Sequence, residues 1–255
     1  SALRRRIGAD FVAKSPPDGY TWLLGTSQHT VTPSIVKQVP YDIASDFAAV
    51  TLAVRAPQLL TVHPSVPVKT TRDLIALAKK EPGKLFFGSP GNGTTGHLGM
   101  ELYQSVARVQ LGHVPYKSAV DSVTALVAGQ VQLMFATAAS VNVHIKSGRL
   151  RALAITSAQP SALMPDLPTV AASGVPGYES VSMWGVFAPA NTPQPVIARL
   201  NQEIVAIVHR PDIKQSFLTH GQEAAGSTPE QFGATVRAEI QRAGKVIRDA
   251  GIRVE

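Results

Sequence analysis

The most informative segment of the chain is Phe86-Phe87-Gly88-Ser89-Pro90-Gly91-Asn92-Gly93-Thr94-Thr95-Gly96-His97, a glycine-rich loop that follows a short strand and begins a helix. Such a loop exposes backbone N–H groups at the positive end of a helix, with serine and threonine hydroxyls beside them. We interpret it as a cradle for a small anion, and a purely structural turn remains the alternative. The candidate ligand-binding residues are Ser89, Gly91, Asn92, Gly93, Thr94 and Thr95.

The same loop also fits a nucleotide-binding pattern. Gly91-x-Gly93-x-x-Gly96 matches the dinucleotide fingerprint, which needs an acidic residue about 20 positions further on to hold the ribose. The corresponding stretch, 113–117, contains none, and the chain has no Gly-x-x-x-x-Gly-Lys sequence. An α/β enzyme that binds a nucleotide or a phosphate at this loop is therefore kept as the alternative function.

Outward from the loop, short apolar runs alternate with amphipathic helices. Alternation of this kind predicts an α/β fold with a mostly parallel sheet covered on both faces. The predicted strands cover residues 84–88, 110–114, 132–136 and 151–156, with helices over 97–107, 119–128 and 141–146. Upstream, the apolar runs 48–54 and 58–62 predict a bent, buried strand pair broken at Arg55-Ala56-Pro57.

A second extended apolar stretch, 176–189, is followed by helices to the end of the chain. This order predicts two lobes, a discontinuous first lobe of residues 1–57 and 182–255 and a second lobe of residues 58–181. Each lobe is expected to hold a mostly parallel sheet flanked by helices, and the two crossings to form a hinge beside a ligand cleft.

Two further loops are candidates for the ligand site because ligands of open α/β sheets bind beyond the carboxyl ends of strands. One loop supplies Thr26, Ser27, Gln28 and His29, and the other supplies Ala136 and Thr137. A solvated polar turn is an equally good interpretation of the first loop, and an ordinary helix N-cap at Ser140 of the second.

The composition excludes several functions. The 24 Lys and Arg against 17 Asp and Glu give a net charge of +7, but the basic residues are dispersed and aromatic residues make up only 6%, which disfavours nucleic-acid binding. Cysteine is absent, and the seven histidines show no metal-ligand spacing, so no metal, cofactor or catalytic residue is predicted. His97 is the one histidine worth testing as a ligand contact, although a structural hydrogen bond is the favoured role.

Several short motifs, taken together, resemble one family over essentially the whole chain. They are Pro17-Asp18-Gly19-Tyr20, Pro40-Tyr41-Asp42, Asp46-Phe47, Gly91-Asn92-Gly93-Thr94, His113-Val114-Pro115-Tyr116-Lys117, Gly129-Gln130-Val131, Leu150-Arg151-Ala152-Leu153-Ala154 and Leu167-Pro168-Thr169-Val170. The chain resembles the Bug-type solute-binding receptors of tripartite tricarboxylate transporters in Gram-negative bacteria.

The resemblance implies a periplasmic receptor with the two-lobed type II periplasmic-binding-protein fold, often called a Venus flytrap. Such a receptor has no enzyme activity, closes around a small carboxylate and delivers it to a membrane permease. The loops Ser89 to Thr95 and Thr26 to Thr30 are expected to contribute to the cleft, and the receptor is expected to be a monomer.

Two departures from the family pattern sharpen the expectation. Relatives begin with a strand and a Pro-Gly-Gly type loop, so the first lobe is expected to lack its N-terminal strand here. Several relatives carry an acidic residue where this chain has Ala136. A buried ammonium would have no partner there, so the expected ligand is a dicarboxylate or an aromatic acid that carries no ammonium.

Overall fold

The structure, a computed structural model, describes residues 2–36 and 39–252, with the side chains of residues 2–6 and 35 outside the description. The helices are α1 (Ala2–Ala13), α2 (Ser27–Ile35), α3 (Thr71–Lys80), α4 (Thr95–Ala107), α5 (Ala119–Val127), α6 (Ala138–Lys146), α7 (Gln194–Val208), α8 (Pro211–Thr219) and α9 (Pro229–Asp249). The strands are β1 (Leu23–Thr26), β2 (Phe47–Val62), β3 (Phe86–Ser89), β4 (Gly112–Pro115), β5 (Leu133–Thr137), β6 (Arg151–Ile155), β7 (Val181–Pro189) and β8 (Glu223–Ala224).

The chain divides into two compact units. The first unit holds residues 1–55, 182–217 and 223–255, and the second holds residues 56–181 and 218–222. The predicted first lobe, 1–57 with 182–255, includes residues 1, 37, 38 and 253–255, which lie outside the described residues.

The second unit is built on a sheet in which β2 lies between β5 and β6, and β3 lies between β5 and β4. β3 is parallel to β4 and β5, whereas β2 is antiparallel to β5 and β6. The strands β3, β4, β5 and β6 therefore all point one way, and β2 alone is reversed. The carboxyl ends of those four strands lie at one edge of the sheet. The part of β2 that belongs to this unit begins at the same edge.

Side chains alternate between the two faces of this sheet, as the period of two in a strand requires. Leu60 and Phe135 belong to an apolar cluster that includes Leu74 of α3 and Tyr103 of α4. On the other face, a second cluster combines residues of β2, β5 and β6 with helices α5 and α6, among them Leu59, Met134, Ala136, Val123 and Val141. Helices thus cover both faces, which gives a three-layer α/β/α arrangement.

The first unit has its own sheet, in which β7 lies between β1 and β2 and β8 pairs with β2. Leu23 of β1 and Phe187 of β7 pack with Ala9 of α1 and with Phe232 and Val236 of α9. A second cluster in this unit holds Val50, Val186, Ala188 and Ile197, the last from α7. Helices α1 and α9 therefore pack in the first cluster and α7 packs in the second.

The structure corrects two details of the sequence-based prediction. The sheet of the second unit is mostly parallel, as predicted, with β2 alone reversed, whereas in the first unit β1 and β7, and β2 and β8, pair antiparallel where a mostly parallel sheet is predicted. The predicted break at Arg55-Ala56-Pro57 is wrong, since 47–62 form one continuous strand. Alternation predicts parallel neighbours only for strands joined by crossovers within one sheet, and β2 instead carries the chain from one unit into the other.

Candidate functional site

The glycine-rich loop of the second unit connects β3 to α4, as the sequence predicts. β3 ends at Ser89, and α4 begins at Thr95 with Thr94 as N-cap. Gly91 and Gly93 have φ angles of 124° and 72°, a left-handed region that residues with a Cβ adopt only at a cost. Glycine at both positions therefore lets the chain turn sharply from the strand into the helix.

The amides of the two central glycines are engaged by side chains of the protein itself. Gly91 N donates to Ser89 Oγ at 3.2 Å, and Gly93 N donates to His97 Nδ1 at 3.1 Å. Thr94 Oγ1 donates to Gly91 O at 2.8 Å. The expectation that these two glycine amides are available to an anion is therefore wrong, because neighbouring acceptors already occupy them. The loop is held in shape by its own hydrogen bonds.

Two stacked histidine rings contact the glycine-rich loop. The His97 and His113 rings lie 3.9 Å apart at 10°, and the His113 ring also stacks on Phe87 at 4.6 Å. His113 Nε2 lies 2.7 Å from Ser89 Oγ, and His97 Nε2 lies 3.6 Å from Glu101 Oε1. The favoured structural role of His97 fits these contacts, since its ring is buried and fixes Gly93.

Burial lowers the pKa of His113 from its ordinary 6.5 to about 4, and the neighbouring His97 lowers it further while Glu101 opposes both. At neutral pH the ring is therefore uncharged. A neutral ring can stack against His97 without repulsion between two imidazolium groups.

The start of α4 lies against the end of β5, which brings two of the predicted loops together. A methyl group placed on Gly96 would lie 3.2 Å from the carbonyl oxygen of Phe135. Thr137 is the N-cap of α6, and its Oγ1 donates to Ser140 Oγ at 3.0 Å. Ala136 is 3% exposed, and its side chain belongs to the apolar cluster of α5 and α6. The side chain of Ala136 is thus a core group, and Thr137 is the residue of this pair that stands at the strand end.

Gln58 is a residue of this region that the sequence analysis does not select. It pairs with Thr137 across β2 and β5, and its side-chain nitrogen lies 3.7 Å from the position of a Cβ on Gly96. Its amide oxygen is buried without a hydrogen-bond partner. A polar residue at the start of the apolar run 58–62 is the sequence signal that could have identified it.

In the first unit, the predicted loop Thr26 to His29 is instead a direct passage from strand to helix: Thr26 ends β1 and is the N-cap of α2, and Ser27 to His29 form the first turn of α2. His29 Nδ1 accepts from Thr26 N at 3.0 Å, and Ser27 Oγ accepts from Met183 N at 2.8 Å. Ser27 and His29 are buried, whereas Thr26 and Gln28 are half-buried. The Ser27 hydroxyl and the His29 ring therefore accept hydrogen bonds from the backbone of their own unit. Thr26 and Gln28 are the more accessible residues of this segment.

Neither a metal cluster nor a membrane-spanning helix is found in the described part of the chain. No three His, Asp or Glu side chains within residues 2–36 and 39–252 are grouped so that they could hold a metal ion. In the same ranges, every helix is too short or too polar to cross a bilayer.

An α/β chain with two sheets, and with a polar loop and a helix N-terminus at the carboxyl ends of parallel strands, has the architecture found in the solved periplasmic binding protein BugD, which is 28% identical with a TM-score of 0.76. The profile of the family described as "Tripartite tricarboxylate transporter family receptor" matches residues 4–252. The chain belongs to this family. It is a family of solute-binding receptors and not of enzymes, which confirms the predicted family, fold class and absence of an enzyme activity.

Individual relatives agree with this assignment. "Protein BugT" of Bordetella pertussis is 32% identical over 251 residues, which is 98% of this chain and 77% of that protein. The structure described as "R. palustris Rpa4515 with adipate" is 36% identical with a TM-score of 0.79, over 97% of this chain and 83% of that one. "MatC (Rpa3494) from Rhodopseudomonas palustris with bound malate" is 25% identical with a TM-score of 0.74, over 95% and 84% of the two chains.

Proposed function

We propose that this protein captures a small carboxylate, a dicarboxylate or an aromatic acid, for a tripartite tricarboxylate-type transporter. The observation that carries the proposal is the start of α4, which lies at the carboxyl edge of the second unit's sheet and packs closely against the end of β5 at Gly96. The unpaired N–H groups of a helix's first turn and its dipole favour a negative charge. Two relatives were solved with adipate and with malate, which supports a dicarboxylate over an aromatic acid.

The proposed ligand-binding residues in the second unit are those of the loop and of the end of β5. Gly91 and Gly93 shape the loop, and the donors offered to the ligand come from the first turn of α4 and from nearby hydroxyls. Thr26 and Gln28 are proposed as the ligand contacts of the first unit, with Ser27 and His29 fixing their loop. From the predicted site residues, we propose Thr26, Gln28, Asn92, Thr94, Thr95 and Thr137 as ligand contacts, with Ser27, His29, Ser89, Gly91 and Gly93 shaping their segments and Ala136 packing in the core.

A thermal-shift screen tests the ligand class directly. Adipate, succinate, malate and benzoate are compared with aspartate, NAD and ATP, and each hit is measured by calorimetric titration. A ligand at a hundred times its Kd adds about 2.7 kcal/mol of stability, which raises the Tm by roughly 5–10 °C. Stabilisation by NAD or ATP and by none of the acids would favour the nucleotide-binding enzyme over the receptor.

We further propose that the protein acts in the periplasm as a monomer and delivers its ligand to a membrane permease. The family membership supports this role. We also propose that the two compact units are the two lobes expected of such a receptor, with boundaries near residues 55 and 182. Uptake of radiolabelled acid into proteoliposomes that hold the permease should require this protein, and uptake that is equally fast without it would contradict the role.

A further inference from the structure

Gln58 stands at the edge of the sheet where the proposed ligand binds. It is directly opposite Thr137 in the register of β2 and β5. Its backbone is fixed to the end of β6, because Gln58 N donates to Thr156 Oγ1 at 2.7 Å and Thr156 N donates to Gln58 O at 2.9 Å. The residue is therefore held rigidly at the carboxyl ends of β5 and β6.

The side chain of Gln58 is buried beside the first turn of α4. Gln58 is 6% exposed, and Nε2 lies 3.7 Å from the position of a Cβ on Gly96, the second residue of the helix. Oε1 has no hydrogen-bond partner, although buried amide oxygens in folded proteins are nearly always paired. A buried acceptor without a donor is unfavourable for the protein alone, so a bound molecule that supplies the donor would gain by pairing it.

A primary amide offers a donor and an acceptor side by side. Nε2 donates, and Oε1 accepts, and turning the amide over exchanges the two without changing the pair. A carboxylate at the start of α4 can accept from the amide nitrogen, but it carries no proton for the amide oxygen. A hydroxyl group on the carbon next to that carboxylate supplies the missing donor.

We propose that Gln58 determines the specificity of the receptor by binding a 2-hydroxy acid, donating to its carboxylate and accepting from its hydroxyl. This inference rests on the proposed carboxylate-binding function and names its substrate class. An amino acid also carries a donor beside its carboxylate, but its ammonium would face the positive end of α4. Position 136 supplies no carboxylate to pair with that ammonium, because Ala136 is a core residue of the apolar cluster. A neutral hydroxyl avoids both the repulsion from the positive end of α4 and the cost of a charge without a partner.

The test uses malate and succinate, which differ by this one hydroxyl, in calorimetric titrations of the wild-type chain and of Gln58→Met. Methionine keeps the length of the side chain and removes both hydrogen-bonding groups. The wild-type chain should bind malate about tenfold more tightly than succinate, and the ratio should fall to about one in Gln58→Met. Gln130→Met, at an exposed glutamine of the same unit, is the matched control and should keep the wild-type ratio.

The stability of the ligand-free variants separates a ligand-binding role from a structural one. Removing an unpaired buried amide should leave the Tm of Gln58→Met equal to or above that of the wild-type chain, whereas a glutamine needed for folding would lower it. Gln58→Glu, which is nearly the same shape, is the second variant. Its carboxylate should weaken the binding of both acids at neutral pH by repulsion.

The outcomes distinguish the two claims. A wild-type chain that binds both acids, with a malate to succinate ratio that Gln58→Met leaves unchanged, overturns the role of Gln58 and leaves the receptor function standing. A wild-type chain that binds neither these acids nor any other carboxylate overturns the receptor function and this inference with it.

Discussion

Two loops of this protein look alike in sequence and differ in what the fold does with them. Each follows a strand and opens a helix, and each uses a histidine Nδ1 to accept a loop amide, from Thr26 to His29 in the first unit and from Gly93 to His97 in the second. In the first loop, the buried Ser27 hydroxyl accepts from the backbone of β7. Beside the second loop, the buried Gln58 oxygen has no partner. The comparison teaches that hydroxyls and glycines by themselves mark a tight strand-to-helix turn, so the ligand role proposed for Gln58 depends on its place beside the start of α4 together with its unpaired amide oxygen.

The largest effect is expected from a bulky side chain at the start of α4. Gly96→Val places a branched side chain against the Phe135 carbonyl and the Gln58 amide, so carboxylate affinity should fall by about a hundredfold or more. Gly8→Val is the matched control, because it is the same change in a helix with no atom within 4 Å of the new Cβ. Calorimetric titration measures the affinity. Normal carboxylate binding by Gly96→Val would show that the ligand does not bind at the start of α4.

A matched pair of serine variants compares the two loops directly. Ser27→Ala removes the acceptor of Met183 N, and Ser89→Ala removes the acceptor of Gly91 N and the partner of His113. Each should lower the free energy of unfolding by about 1–3 kcal/mol, since a backbone N–H group loses its acceptor. Ser89→Ala should weaken carboxylate binding by about tenfold, and Ser27→Ala should weaken it less.

Urea unfolding and calorimetric titration on the same two variants decide the point. If Ser27→Ala loses as much affinity as Ser89→Ala, the first loop contributes to the ligand site as strongly as the second, and the contrast drawn between them is wrong.

The smallest effect is expected from pH. Because the pKa of His113 is lowered to about 4 in the folded chain, the unfolded chain takes up a proton below about pH 6.5 while the folded chain does not. Stability should therefore fall as the pH drops from about 6.5 towards 4. Replacing His113 by Phe keeps a ring between Phe87 and His97 but removes the titration.

Thermal unfolding at pH 7 and pH 4.5 measures this contribution. The drop in Tm between the two pH values should be a few degrees smaller in His113→Phe than in the wild-type chain. Equal drops would show that His113 does not carry the acid sensitivity of the loop support.

Much of the fold could be predicted from local patterns. The helix that follows the glycine loop is expected from residue 97 and begins at Thr95, and the predicted helix 119–128 corresponds to Ala119–Val127. Such elements are fixed by short-range spacing and capping, which a single sequence records. The direction and length of β2 could not be predicted, because they depend on the strands that it meets 70 to 100 residues later. The local sequence predicts a strand break at Pro57, because the distant strands that keep β2 continuous cannot be seen in it.

The candidate site was predictable in position and less so in chemistry. The glycine loop and Thr137 were found because they follow strands and precede helices. The partners of the Gly91 and Gly93 amides were not foreseen, since His97 accepts only once the helix is formed. Ala136 was considered as a ligand-facing position, but the alternation of β5 turns its side chain into the core.

The amino-acid sequence alone predicts an α/β receptor with a tight glycine turn at the start of a helix, because local residue spacing and the motifs shared with the family carry that information. The three-dimensional fold was needed to show which polar groups are already paired. Pairing depends on atoms far apart in the chain, such as Gln58 and Thr156 or Ser27 and Met183, and burial makes an unpaired group unfavourable.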